Sequence, residues 1–159
     1  MRRHHLESPL GELVALADDD GLRALMYPGH RLPPSLMEIP LSSAGFEPLT
    51  EQLNEYLDGE RRTFELTLAP RGTPFQLRAW EALLRIPYGE TRSYGEQAAM
   101  LGDPGLARAV GLANNRNPIS IVVPCHRVIG SDGSLVGYGG GMAAKRFLLD
   151  LESAGTTLF

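Results

Sequence analysis

The chain has 159 residues, 43% hydrophobic and 21% charged, with a net charge of −4, the balance of one ordinary globular domain or two small packed ones. No apolar run approaches the roughly 20 residues of a membrane span, and "MRRHHLESPL" has no apolar core behind its basic residues, so neither a membrane partner nor a secretory signal is expected. Four histidines and one cysteine show no metal-ligand spacing, so no structural zinc is expected, and a lone cysteine fits a reducing cytoplasm. The charge is uneven. Residues 1–70 carry six arginines and twelve acids, whereas residues 71–159 carry nine basic residues and seven acids. The mildly basic second half leaves room for a local phosphate-binding face.

In chain order, "LGELVALA" (10–17) and "LRALMY" (22–27) alternate around "DDDG", which is a hairpin signal. "PGHRLPPS" (28–35) breaks the pattern. "FEPLTEQLNEYLDGE" places Leu49, Leu53, Tyr56 and Leu57 on one helical face, with Gly59 as a stop. "TFELTL" (63–68) alternates again and predicts a strand with Phe64, Leu66 and Leu68 on one side. "APRGTPFQ" is a boundary. Thr73 N-caps, Pro74 suits the first turn, and Gln76 completes a capping box for a helix that stops before Pro87. Ser93 caps a second helix, "YGEQAAML". After the short break "GDPG", Asp103 caps and Pro104 starts a third, "PGLARAVGLANN", at helix-turn-helix spacing. The apolar run "ISIVV" reads as a strand, "GSDGSLVGYGGG" as a glycine-rich loop, and "MAAKRFLLDLE" as the last helix.

The question of function centres on "IVVPCHRVIG", which holds Cys125. A lone cysteine beside two valines is ordinarily a core residue. In a strand, His126 would point to the opposite face, so a direct thiol–imidazole pair needs a turn or a bridging water. Pro124 belongs at a strand end, which predicts that Cys125 sits where the chain leaves the sheet. His126 offers a base near neutral pH, Arg127 adds positive charge that would favour thiolate, and Glu152 is an available acid that sequence alone does not place.

"PCHRVIG", followed by "GYGGG" and "KRFLLDLE", resembles the active-site segment of the O6-alkylguanine-DNA alkyltransferases, the methylated-DNA–protein-cysteine methyltransferases. The resemblance extends back through "IPYGETRSYGEQAA" and "ARAVGLANNRNPI" and covers roughly residues 72–153; the acidic first half fits the family's variable N-terminal domain more loosely. It implies an α+β protein. A small ribonuclease H-like sheet-plus-helix domain (1–71) would pack on a mostly helical domain (72–159) with a winged helix-turn-helix-like motif. It further implies a DNA repair methyltransferase that flips O6-alkylguanine out of duplex DNA. The alkyl group would pass irreversibly to Cys125 in a single turnover without a cofactor. The expected partner is duplex DNA bearing the lesion. The protein is expected to be a cytoplasmic monomer, with cooperative assembly on DNA left open.

The resemblance also assigns roles. Cys125 is the acceptor, His126 its base through a water, and Glu152 the orienter, while Asn117 in "NRNP" braces the turn. Tyr94 would place its hydroxyl by the guanine ring nitrogen; a buried helix aromatic is the plainer alternative. Tyr138, Gly139 and Gly140 would wall the pocket, and Val128 and Ser131 would contribute contacts from the loop after the thiol. Lys145 matches a family lysine, with a solvated helix lysine equally open. Arg108 would fill the gap left by the flipped base, on a helix kept slim by Gly105, Ala107, Ala109, Gly111 and Ala113, entering the minor groove. Phe75, at a helix start with free backbone amides, and Gly95 would contact DNA or substrate. Some family members carry an N-terminal zinc, for which this chain lacks the cysteines. A lesion-binding module without chemistry and a Cys-His hydrolase are the competing readings. The presence of Cys125 disfavours the first, and no oxyanion-hole feature supports the second.

Overall fold

The computed structural model describes residues 1–27 and 33–156, the side chain of Thr156 excepted, and divides into two compact units, Met1–Pro70 and Arg71–Phe159. In the first unit, β1 (Arg2–Leu6), β2 (Leu13–Asp18) and β3 (Gly21–Met26) form an antiparallel sheet in that order. The expected hairpin is β2–β3, closing at Asp18 opposite Gly21. β1 had no signal of its own, because "RRHHL" is mostly basic. Its strand comes from pairing with β2, from Arg2 opposite Ala17 to Leu6 opposite Leu13.

A short helix, α1 (Pro34–Met37), follows the proline-rich break, most of which (28–32) lies outside the described residues. Next, α2 (Glu47–Leu57) buries Leu49, Leu53, Tyr56 and Leu57, the stripe its periodicity predicts, and Gly59 turns the chain at φ +80°.

The segment 63–68 is not a strand. It meets β3 at one bridge, Leu22 with Leu68. Its backbone finds other partners. The Gln52 side chain donates to the Glu65 carbonyl and accepts from the Glu65 N–H, Leu22 N–H donates to Thr67 O, and the Arg23 guanidinium donates to Ala69 O. Period-two alternation cannot distinguish such a segment from a ladder-bonded one. The approach is close enough that a Cβ on Gly21 would lie 2.6 Å from Thr67 O.

The second unit is mostly helical. Its first helix, α3 (Pro74–Leu84), starts at the Thr73–Gln76 capping box. β4 (Arg92–Ser93) leads directly into α4 (Tyr94–Met100), where Ser93 and Glu96 form a second capping box. After Leu101, Gly102 and Asp103, a 3-10 turn (Pro104–Leu106) capped by Asp103 runs into α5 (Ala107–Asn115). α3, α4 and α5 pack on one another.

The run "ISIVV" corrects the sequence reading. Ile119, Ile121, Val122 and Val123 are all buried, yet the chain coils through turns: Val122 N–H donates to Ser120 O, Val123 N–H to Ile119 O, and Ile121 sits at φ +72°. A continuous apolar run signals burial without fixing a period. A 3-10 turn (Cys125–Arg127) follows, then β5 (Val128–Ile129), parallel to β4, and finally α6 (Met142–Thr156).

Candidate active site

Cys125 does not leave a sheet. It opens the 3-10 turn that the buried coil 119–123 feeds, so the opposed faces of a strand do not apply to Cys125 and His126. The coil is anchored by Asn117, whose Nδ2 donates to Val123 O (2.9 Å) and whose Oδ1 accepts from Ile119 N–H (3.0 Å). Cys125 is only 9% exposed. Burial pushes its thiol up from the usual range, while the Asn117 amide bonding the sulfur and the positive charge of Lys145 pull it back. The resting group is therefore a thiol, and transfer to an electrophile needs a proton acceptor.

His126, the next residue, is the candidate for that acceptor. It is fully buried, and Nε2 lies 2.8 Å from Glu152 Oε2. Burial alone would raise the Glu152 carboxyl, but the bonds from His126 and Arg127 outweigh it and hold it at about 2. An ionised carboxylate only accepts, so Nε2 carries the proton. Burial also lowers the His126 pKa, against the pull of Glu152, and keeps the ring neutral. The lone pair is then on Nδ1, a buried atom with no protein partner among the described residues.

Arg127 was misread from sequence. Its guanidinium is not among the charges acting on the thiol; it grips Glu152 with Nε on Oε1 (2.8 Å) and Nη2 on Oε2 (2.9 Å), and Nη1 donates to Ile86 O (2.7 Å). Gly89 N–H adds a bond to Glu152 Oε1 (3.2 Å). Arg127 thus fixes the carboxylate that fixes the imidazole. The signal available in sequence lay on α6: Lys145 and Glu152 occupy its buried stripe with Ala144 and Leu148, where charged residues need partners.

Lys145 is accordingly not a solvated helix lysine. It is fully buried and donates to Val128 O (2.6 Å) and Val136 O (2.9 Å). Burial lowers its pKa, and the nearby Cys125 opposes that shift. Tyr94, half-buried, donates its hydroxyl to the same Val136 carbonyl (3.0 Å). Burial, then the Cys125 charge, raises its pKa, so it stays a proton donor. Its ring lies beside Gly111 of α5.

Cys125, His126, Glu152, Asn117, Tyr94, Lys145 and Val128 thus converge on one locus. Tyr138 is half-buried in the loop before α6, Gly139 and Gly140 follow it, and Tyr138 O accepts from Gly141 N–H. Ser131 is exposed in the turn after β5, and Gly95 is half-buried in α4. Arg108 is exposed on α5, with no hydrogen bond or ion pair among the described residues. Phe75 is the second residue of α3; the capping box occupies the Gln76 N–H, and the Phe75 N–H has no protein acceptor among the described residues. The slimness of α5 is partly core packing, since Ala113 is buried and its carbonyl accepts from Trp80 Nε1 (2.8 Å).

Residues 74–154 match the family model described as "6-O-methylguanine DNA methyltransferase, DNA binding domain", and residues 1–70 the one described as "6-O-methylguanine DNA methyltransferase, ribonuclease-like domain". The chain is 50% identical over 149 residues to a methylated-DNA–protein-cysteine methyltransferase of Mycobacterium bovis, covering 94% of this chain and 90% of that protein. It is 48% identical over 152 residues to one from Methanosarcina acetivorans, covering 93% and 96%. The crystal structure of Mycobacterium tuberculosis OGT in complex with DNA is 47% identical, with a TM-score of 0.91 and coverage of 98% of this chain and 94% of that one. With both family models matched across its two units and half of its aligned residues shared with such a relative, the chain belongs to the methylated-DNA–protein-cysteine methyltransferase family.

Proposed function

We propose that this protein repairs O6-alkylguanine in duplex DNA by moving the alkyl group onto Cys125, once per molecule. The observation that carries the chemistry is the buried lone pair of His126 Nδ1, held in that tautomer by Glu152, in the residue next to the only thiol. His126 takes the thiol proton through a bridging water. The sulfur attacks the alkyl carbon, the S–C bond forms, and the C–O6 bond breaks with its electron pair passing to the guanine. The guanine leaves as a neutral base by gaining a proton, which Tyr94 supplies; the proton taken by His126 balances it. The thioether has no leaving route, so the thiol is not regenerated.

The remaining assignments serve delivery of the base. Arg108 enters the duplex and fills the space of the flipped nucleotide, with α4 and α5 acting as the helix-turn-helix and the Phe75 amide meeting a phosphate. Tyr138 supplies a stacking face, Gly139 and Gly140 let the loop backbone approach the base, and Val128, Ser131 and Gly95 line the approach. Lys145 ties Val128 to Val136 and lends positive charge to the sulfur. Asn117 holds the turn. The free thiol suits a reducing cytoplasm, and no described helix is long and apolar enough to cross a membrane. The test is Cys125→Ala. It should bind a lesion duplex as the parent does and remove no alkyl group. A variant that still demethylates the duplex contradicts the assignment.

A further inference from the structure

The helix bearing Arg108 is seated by a small apolar face and by directional contacts. The buried residues of α5 are Val110, Ala113 and Asn114, so only one large apolar side chain seats it. Two side-chain amides meet head to tail behind it. Gln97 Nε2 donates to Asn114 Oδ1 (3.0 Å), and Asn114 Nδ2 donates to Gln97 Oε1 (2.7 Å). Gln97 Nε2 also donates to Ala79 O of α3 (3.1 Å), so one amide joins three helices. Gln97 is fully buried and Asn114 nearly so.

Stability alone does not account for amides here, because an apolar pair of similar size would hold the helices at least as well. What a reciprocal pair adds is angle, since N–H···O bonds weaken steeply below about 120°. We propose that Gln97 and Asn114 are positioning residues for the reaction on duplex DNA: their amide pair fixes the rotation of α5 about its axis, and so the direction in which Arg108 leaves the protein. Arg108 and Leu112, four residues apart on the exposed side, turn with the pair. A rotation of about 20° at the roughly 5–6 Å outer radius of a helix moves a side chain by about 2 Å. A misplacement of about 1 Å can cost on the order of a hundredfold in rate.

This inference rests on the alkyl-transfer reading, with Arg108 as the group that enters the duplex. The decisive variant is the apolar double, Gln97→Met with Asn114→Leu, compared with the exchanged pair, Gln97→Asn with Asn114→Gln. Transfer is timed from an O6-methylguanine duplex and from free O6-benzylguanine, beside thermal melting. The apolar double should melt no lower than the parent and react with the free base within about twofold. It should react with the duplex at least about tenfold more slowly. The exchanged pair should recover most of the duplex rate. Should the apolar double not fold, a second apolar pair, Gln97→Leu with Asn114→Met, which also leaves no amide unpaired, is read in the same way. A parental duplex rate in the apolar variant, or equal slowing on both substrates, overturns the positioning role and leaves the chemistry standing. A parent protein that takes no alkyl group from either substrate overturns both.

Discussion

Around Cys125 the charged groups are answered by the protein, whereas along the outer side of α5 they are not. Glu152 receives Arg127 twice, His126 and Gly89 N–H, and Lys145 spends its ammonium on two carbonyls. Arg108 has no partner among the described residues, and Leu112 beside it is 62% exposed. The first region is wired before any substrate arrives, as a nucleophile with a depressed base and a fixed tautomer must be. The second has the composition of a surface completed by its ligand. Damage to the first should therefore impair every substrate and the fold together; damage to the second should impair only what needs the duplex opened.

The largest expected effect lies in the wired region. Glu152→Gln leaves the Arg127 guanidinium buried without its counter-charge, a loss of about 3–5 kcal/mol, and frees the His126 tautomer. Transfer from both duplex and free base should slow strongly at neutral pH. An unchanged rate would remove Glu152 from the mechanism.

The same carboxylate sets an acid limit. Its folded pKa, about 2, lies below the ordinary 4.5, so its stabilisation is complete above about pH 5 and is lost as pH falls from there toward 2. That shift corresponds to roughly 3 kcal/mol. Denaturant melts between pH 3 and 7 should show a steep acid loss in the parent and a shallower one in Glu152→Gln; parallel curves would contradict it. Because burial holds His126 below its usual value, transfer from a free base should stay level from pH 8 down past 6.5 and fall only below that. A midpoint at or above 6.5 would argue against a buried neutral base.

Arg108→Ala sharpens the other side. Losing part of the few kcal/mol that flipping requires should slow duplex repair by about 5–30-fold, with free O6-benzylguanine little affected. Equal slowing on both would make Arg108 structural. Duplex affinity should also fall with added salt, since phosphate neutralisation releases counterions.

What the sequence made legible follows the same division by range. The caps at Thr73, Ser93 and Asp103 were readable because each is a side chain bonding backbone two or three residues away. The α2 stripe was readable because periodicity is local. Cys125 and His126 stand out as neighbours, but the partner of His126 lies 26 residues on, and only the resemblance joins the two. Arg127 was read as a charge for the thiol because nothing local shows that Glu152 and Ile86 O claim it. The strands expected at 63–68 and 119–123 are absent for one reason: an alternating or buried apolar segment can satisfy its backbone through side chains, a single bridge and turns instead of a continuous ladder.

The smallest expected effect joins the two regions. An alkyl group on the buried Cys125 overpacks the junction of coil, turn and loop, at about 1–3 kcal/mol. At this chain length that lowers the melting temperature by several degrees, on the order of 2–4 °C per kcal/mol. Benzyl should lower it more than methyl; no change after benzylation would reject the strain and spare the chemistry.

The most direct measurement is the intact mass of the protein, with peptide mapping, after incubation with excess O6-methylguanine duplex. The account predicts a gain of one methylene per chain, confined to the peptide holding Cys125, with lesions removed in equal number to protein molecules and no more. Lesion removal without a change in protein mass, removal beyond one per chain, or a methyl group on any other residue would contradict it.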